Sequence, residues 1–100
     1  MFISGQGPID ENGNLAGSTV AEQTRQVFEN LETALGAHEC GWEDVVKLGV
    51  FLTDIADFPE FAAVREEFLA GIYPAATLVA DIALVMPDWK VEVEAVAALP

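Results

Sequence analysis

The segment Val91–Ala97, VEVEAVA, alternates in a way that suits a β-strand and little else. Side chains of a strand point to opposite faces with period two. One face then carries Val91, Val93, Ala95 and Ala97, entirely apolar, and predicts the floor of a core. The other carries Glu92, Glu94, Val96 and Ala98. Two acids followed by two apolar residues make a mixed face, less polar than one turned only to water. A sheet with helices on one side and another subunit on the other fits the pattern. Just upstream, YPAATLVADIALV predicts a penultimate strand, joined to the last by a Met86-Pro87-Asp88 turn.

The preceding residues read as strands alternating with helices. Residues 1–5, MFISG, are strand-like from the first position, and a lead-in segment upstream of them is expected. GQGPIDENGNLAG is a loop, with Glu11-Asn12-Gly13 as a turn signal. Its glycines fit neither the Walker nor the dinucleotide spacing and no lysine follows, so it is a poor phosphate cradle. Thr19 and Glu22 have capping-box spacing at the start of a helix. Val20, Thr24, Val27, Phe28, Leu31, Ala34 and Leu35 give that helix one apolar stripe, fading near Gly36–His38. Arg25 and Glu29, four apart on the outer face, have the spacing of a weak ion pair.

Trp42 is expected to close one end of the core. Lys47–Asp54 predicts a strand in which Leu48, Val50 and Leu52 alternate with Lys47, Gly49 and Phe51. Phe51 again makes the second sheet face partly apolar. Asp57 and Pro59 mark the cap and first turn of a second helix. Phe61, Val64, Phe68 and Leu69 are its buried stripe, Glu60, Arg65, Glu66 and Glu67 its wet side, and Gly71 its stop. Two helices can cover one face of a small sheet, a two-layer α+β domain.

The chain has 100 residues, 52% of them apolar, enough for one small domain that would benefit from assembly. Arg25, Lys47, Arg65 and Lys90 stand against 17 acids, for a formal charge of -13. That disfavours nucleic acid and anionic membrane as partners, since both need a positive patch. No signal peptide or membrane-spanning run is evident. Cys40 is the single cysteine, which excludes an intrachain disulfide and makes a cytoplasmic setting the default.

Few constellations carry chemistry. His38 and Cys40 are two apart, but no second histidine or CxxC completes a metal site. Ser4 and Ser18 have no GxSxG elbow, and the one histidine has no serine partner fixed by sequence. No cofactor is indicated. Glu92 and Glu94 share a strand face, about 6.6 Å apart along it. In a partly closed cavity such a carboxylate can serve as acid or base; on an open sheet it serves solubility.

Five segments in order, ISGQGPID, AEQTRQVFENLETAL, WEDVVKLGVFLTDIADF, YPAATLV and VEVEAVAALP, resemble the reactive intermediate deaminase family, called Rid or YjgF-like. The resemblance spans residues 2–99. It implies a chorismate-mutase-like domain whose copies close into a homotrimer, sheets inside and helices outside. It also implies one further strand segment ahead of Phe2. Clefts between subunits would bind an enamine or imine and hydrolyse it to a 2-oxo acid and ammonia.

By the same resemblance, Ser4 and Gly5 flank the cleft and Glu94 orients or activates water. The family's carboxylate-holding arginine, two residues after the proline that opens the penultimate strand, is replaced here by Ala76, beside Thr77. Its helix asparagine corresponds to Ala62. A cleft without that arginine, in so acidic a chain, is expected to take a neutral or cationic metabolite. The alternatives are a non-catalytic binder or structural trimer, and a protein-interaction module using the outer acidic face.

Overall fold

The computed structural model describes residues 1–99. The elements run β1 (Phe2–Gln6), α1 (Val20–Gly36), β2 (Val45–Leu52), α2 (Phe58–Leu69), β3 (Ala75–Val79) and β4 (Val91–Ala97). Short 3-10 turns precede β2 at Trp42–Asp44 and α2 at Ile55–Asp57. The four strands form one mixed sheet in the order β1-β4-β2-β3. β4 runs antiparallel to both neighbours and β3 runs parallel to β2. This is the expected α+β architecture.

The last two strands are not a hairpin. A parallel partner for β2 requires a crossover, which α2 provides, so β3 lands on the outer side of β2. The chain must then pass β2 to reach β4, and residues 80–90 do so. The Met86–Asp88 turn lies inside that connection, closed by a 3.2 Å bond from Trp89 N to the Met86 carbonyl.

The predicted floor is present: Val91, Val93, Ala95 and Ala97 are buried, with Leu48, Val50 and Leu52 beside them and Ile3 on β1. Phe28 of α1 is fully buried at the centre of the helix layer. Its ring centroid is 5.4 Å from Trp42, 5.4 Å from Phe68 and 6.0 Å from Phe61. Trp42 closes the core as expected, its ring N–H donating to Glu32 at 2.9 Å.

The α1 capping box forms. Thr19 Oγ1 accepts from Glu22 N at 3.1 Å, and the Glu22 carboxylate accepts from Thr19 N at 3.2 Å. Donation by the Thr19 hydroxyl, then by its backbone amide, holds the Glu22 carboxyl below the ordinary range. A carboxylate so depressed contributes fully above its unfolded pKa, and the contribution is lost as pH falls through the folded value.

Three local expectations change. Arg25 reaches across to Glu67 of α2 at 2.6 Å instead of pairing with Glu29, because the helices pack closely enough for an inter-helix pair. Asp57 makes no side-chain cap; Asp54 caps the 3-10 turn before it, accepting from Ala56 N at 2.9 Å. Arg65 is half-buried, its guanidinium 5.8 Å and 5.6 Å from the rings of Phe58 and Phe61, which is favourable over an aromatic face. Ala70 at φ 48° and Gly71 at φ 89° end α2 in the left-handed region.

Thr24 is fully buried, and its hydroxyl has no hydrogen-bond partner among the described residues. An unsatisfied buried hydroxyl costs about 1–3 kcal/mol. Thr24→Val keeps the shape and removes the polar atom. We expect it to raise the urea midpoint, by about 1 kcal/mol of stability. An unchanged or lower midpoint would show that the hydroxyl is satisfied.

Candidate functional site

Strand register divides the sheet into two faces. Ile3, Ala95, Leu48 and Ala76 are paired across all four strands, and the first three are buried under the helices. The neighbouring rows therefore point the other way. Phe2, Val96, Lys47 and Ala75 form one row of the open face. Glu94, Gly49 and Thr77 form the next, and Glu92, Phe51 and Val79 the third. Phe2 is 87% exposed at one edge of that face, and Val79 is exposed at the opposite edge. Apolar groups interspersed with two acids thus occupy a face that no element of this chain covers, as the alternation in β4 and β2 predicts.

The two acids have different surroundings. Pairing between β1 and β4 shifts register between Ile3 and Gln6, which places Ser4 and Gly5 in an irregularity of the strand. The Glu92 carboxylate lies directly over Gly5: a Cβ added there would overlap Glu92 Oε2, with Glu92 Cδ at 2.9 Å. Glu94 lies instead over Gly49, where an added Cβ would meet its Cγ at 2.8 Å and its Oε1 at 2.9 Å. The two glycines make room for two carboxylates. The Glu92 carboxylate thus reaches Gly5, while the pairing of Ile3 with Ala95 and of Gln6 with Val93 leaves Glu94 as the β4 residue opposite the Ser4-Gly5 segment.

No basic side chain lies within ion-pair distance of either acid among the described residues. Lys47, on the same face, donates to Thr77 Oγ1 at 2.7 Å. Ala76 is paired with Leu48 and so points to the opposite side of the sheet from Glu92, Glu94 and Thr77, on the edge strand. Ala62 is half-buried on α2, in the helix layer. Within one chain the fold therefore brings Ser4, Gly5, Glu92 and Glu94 together, keeps Thr77 on the same face, and leaves Ala76 and Ala62 elsewhere.

A concavity of about 640 Å³ lies between Ile9–Asn12 and α1. Asp10, one of the acids in its wall, already accepts from Asn12 N and Asn14 N at 2.9 Å. No group of three or more His, Cys, Asp or Glu that could hold a metal occurs among the described residues.

Comparison with known proteins converges on one family. The model of the family described as Endoribonuclease L-PSP matches residues 1–99. The chain belongs to that family, the Rid or YjgF-like proteins. It is 40% identical to the mitochondrial protein mmf2 of Schizosaccharomyces pombe, over 98% of this chain and 79% of that one. It is 36% identical to a RutC family protein of Pyrococcus horikoshii, over 97% and 77%. A crystal structure of YyfB from Yersinia pestis, a Rid-family protein, superposes with a TM-score of 0.90 at 31% identity, covering 99% of this chain and 77% of that one. The yeast protein YEO7 superposes with a TM-score of 0.93 at 34% identity, over 99% and 78%. These Rid relatives extend beyond the matched region.

Two features of this candidate site were not distinguishable in the sequence. Glu92 and Glu94 are equivalent by period, and only the irregularity in β1 tells them apart. Gln23 and Asn30 make the second. Gln23 stands between Val20 and Val27 in the apolar stripe of α1, and a fully buried amide there was the available signal.

Proposed function

We propose that this Rid protein is an enamine or imine hydrolase acting on a neutral or cationic substrate in a cleft between subunits. The observation that carries the reading is the Glu92 carboxylate over Gly5, next to Ser4, on an uncovered and partly apolar sheet face. Three copies closing through these faces would cover Phe2, Phe51, Val79 and Val96 and leave the acid-rich helices outside. Ala76, on the reverse of the edge strand, then meets Glu92 only if the two come from different copies.

In such a cleft water is drawn to Glu92. The carboxylate takes a proton as the water oxygen bonds to the imine carbon and the C=N pair moves to nitrogen. The proton is returned to nitrogen to give a carbinolamine; the carboxylate then moves the hydroxyl proton to that nitrogen, the C–N bond breaks as the oxygen pair forms the carbonyl, and a carbonyl compound and ammonia leave. An enamine enters the same route after protonation at carbon. Ser4 and the backbone at Gly5 steady the substrate in this reading. Glu94, one row away, adds negative potential more than proton transfer. The test is ammonia release from a panel of imines of differing charge, with trimeric mass measured on the same sample. Turnover of neutral or cationic members supports the reading, and no turnover of any member favours a non-catalytic binder or structural trimer.

The relatives' endoribonuclease description suits this chain poorly. A charge of -13 repels phosphate backbones, and His38, the only histidine, is exposed at the end of α1. The free cysteine suits a reducing compartment, and a cytoplasmic location fits it. No helix among the described residues is long and apolar enough to cross a membrane.

Ala76→Arg is expected to create affinity for small 2-oxo acids. Charge-assisted bonds to a carboxylate are worth about 1.5–3 kcal/mol, so binding should tighten roughly 10- to 100-fold by calorimetry. Unchanged binding would mean that Ala76 does not border the cleft.

A further inference from the structure

The irregular apposition of Gly5 and Glu92 is held from behind by two side-chain amides of one helix. Gln23 is fully buried. Its Nε2 donates to the Asp88 carbonyl at 3.0 Å and the Gly17 carbonyl at 3.1 Å, and its Oε1 accepts from Lys90 N at 2.7 Å. Lys90 is two residues ahead of Glu92, and its own carbonyl accepts from Thr53 N at 3.1 Å. Gln23 thus fixes the chain immediately before β4.

Asn30 lies seven residues on, two turns along α1 and so near the same face. Its Nδ2 donates to the Gly7 carbonyl at 3.1 Å and the Ile9 carbonyl at 2.9 Å. Its Oδ1 accepts from Gln26 Nε2 at 2.9 Å, which orients the amide. Asn30 thus fixes the chain immediately after β1. Trp89, between the residues that Gln23 holds, packs against Gly7, the residue that Asn30 holds; an added Cβ at Gly7 would overlap the indole.

We infer that Gln23 and Asn30 are positioning residues for the Glu92 site: α1 sets the distance between the Ser4-Gly5 bend and the Glu92 carboxylate by gripping the two strand ends that flank them. A regular β1–β4 ladder would need no such grip. The register shift between Ile3 and Gln6 interrupts that ladder beside Gly5, so the geometry there depends on what holds the chain on either side. The two grips have a single reference frame because they belong to one helix, whose start is fixed by the Thr19–Glu22 box. As catalysis, this rests on the hydrolase reading above; as geometry, it does not.

The test compares Gln23→Met and Asn30→Ala with Val27→Ala, a core truncation on the same helix that touches neither strand end through a polar bond. All three are studied at temperatures equally far below their own melting points. Amide exchange at Gly5, Gln6, Glu92 and Val93 is expected to accelerate about tenfold in the two amide variants and not in Val27→Ala, as loss of one to three net hydrogen bonds requires. With imine substrate, kcat is expected to fall about 10- to 100-fold with KM within about twofold, since misplacing a proton-transfer group by an ångström has that effect. Equal exchange in all three variants would overturn the inference and leave the amides as stability elements. Absence of turnover in the unmodified protein would remove the hydrolase reading while the exchange comparison still decides the positioning role.

Discussion

Glu92→Gln is expected to lower imine hydrolysis about 10²–10⁴-fold, the usual contribution of a positioned acid–base group. Glutamine keeps the side chain's size over Gly5 but cannot take a proton from water. The melting temperature should hold or rise slightly, because Glu92 has no ion-pair partner among the described residues and one negative charge leaves an acid-rich chain. Glu94→Gln should cost far less, because the Glu94 carboxylate lies over Gly49 in mid-sheet and not over Gly5. Steady-state ammonia release by the two variants ranks the two carboxylates directly. A large loss on Glu94→Gln with Glu92→Gln near normal would return the role to Glu94, the residue that resemblance alone selects.

Phe28→Ala is the substitution with the largest expected effect on folding. The ring is fully buried and joins α1 to Trp42, in the turn before β2, and to Phe61 and Phe68 of α2. Truncating a buried phenylalanine costs about 3–5 kcal/mol, because the cavity cannot collapse completely. A domain of this size has about 5–15 kcal/mol in total. Urea unfolding followed by tryptophan fluorescence should show a midpoint lowered by a large fraction, with the m-value unchanged. Trp42, 5.4 Å from the lost ring, would report the change. A loss below about 1 kcal/mol would mean that the neighbouring rings close the gap.

The fold was legible where period and chemistry agree. Alternation in Val91–Ala97 identified both the floor of the core and the uncovered face, since a strand bonded on both sides leaves its side chains only those two directions. Thr19 and Glu22 marked the start of α1 because a capping box is a local device that needs no tertiary partner. What spacing could not supply was everything set by chain crossing. The adjacency of β4 to β2, with β3 beyond, depends on a parallel crossover through α2. Arg25 prefers Glu67 over Glu29 for a similar reason, because its partner comes from another helix.

The site was half legible. Resemblance selected Ser4, Gly5 and Glu94; the fold sets Glu94 opposite the Ser4-Gly5 segment and adds the Glu92 carboxylate over Gly5. Which carboxylate lies over Gly5 is set by the packing around the irregularity between Ile3 and Gln6, and no residue period encodes it. The placement of Ala76 on the reverse of the sheet follows from its register with Leu48. The two amides of α1 were visible as residues but not as clamps, because their partners are backbone groups many residues away.

Sedimentation equilibrium at micromolar concentration tests most directly whether the uncovered face builds the site. A mass three times that of one chain, falling to one chain when Phe2 and Val96 are replaced by aspartate, is the predicted result. A single-chain mass for the unmodified protein would contradict it, leaving Glu92 and Gly5 open to bulk water.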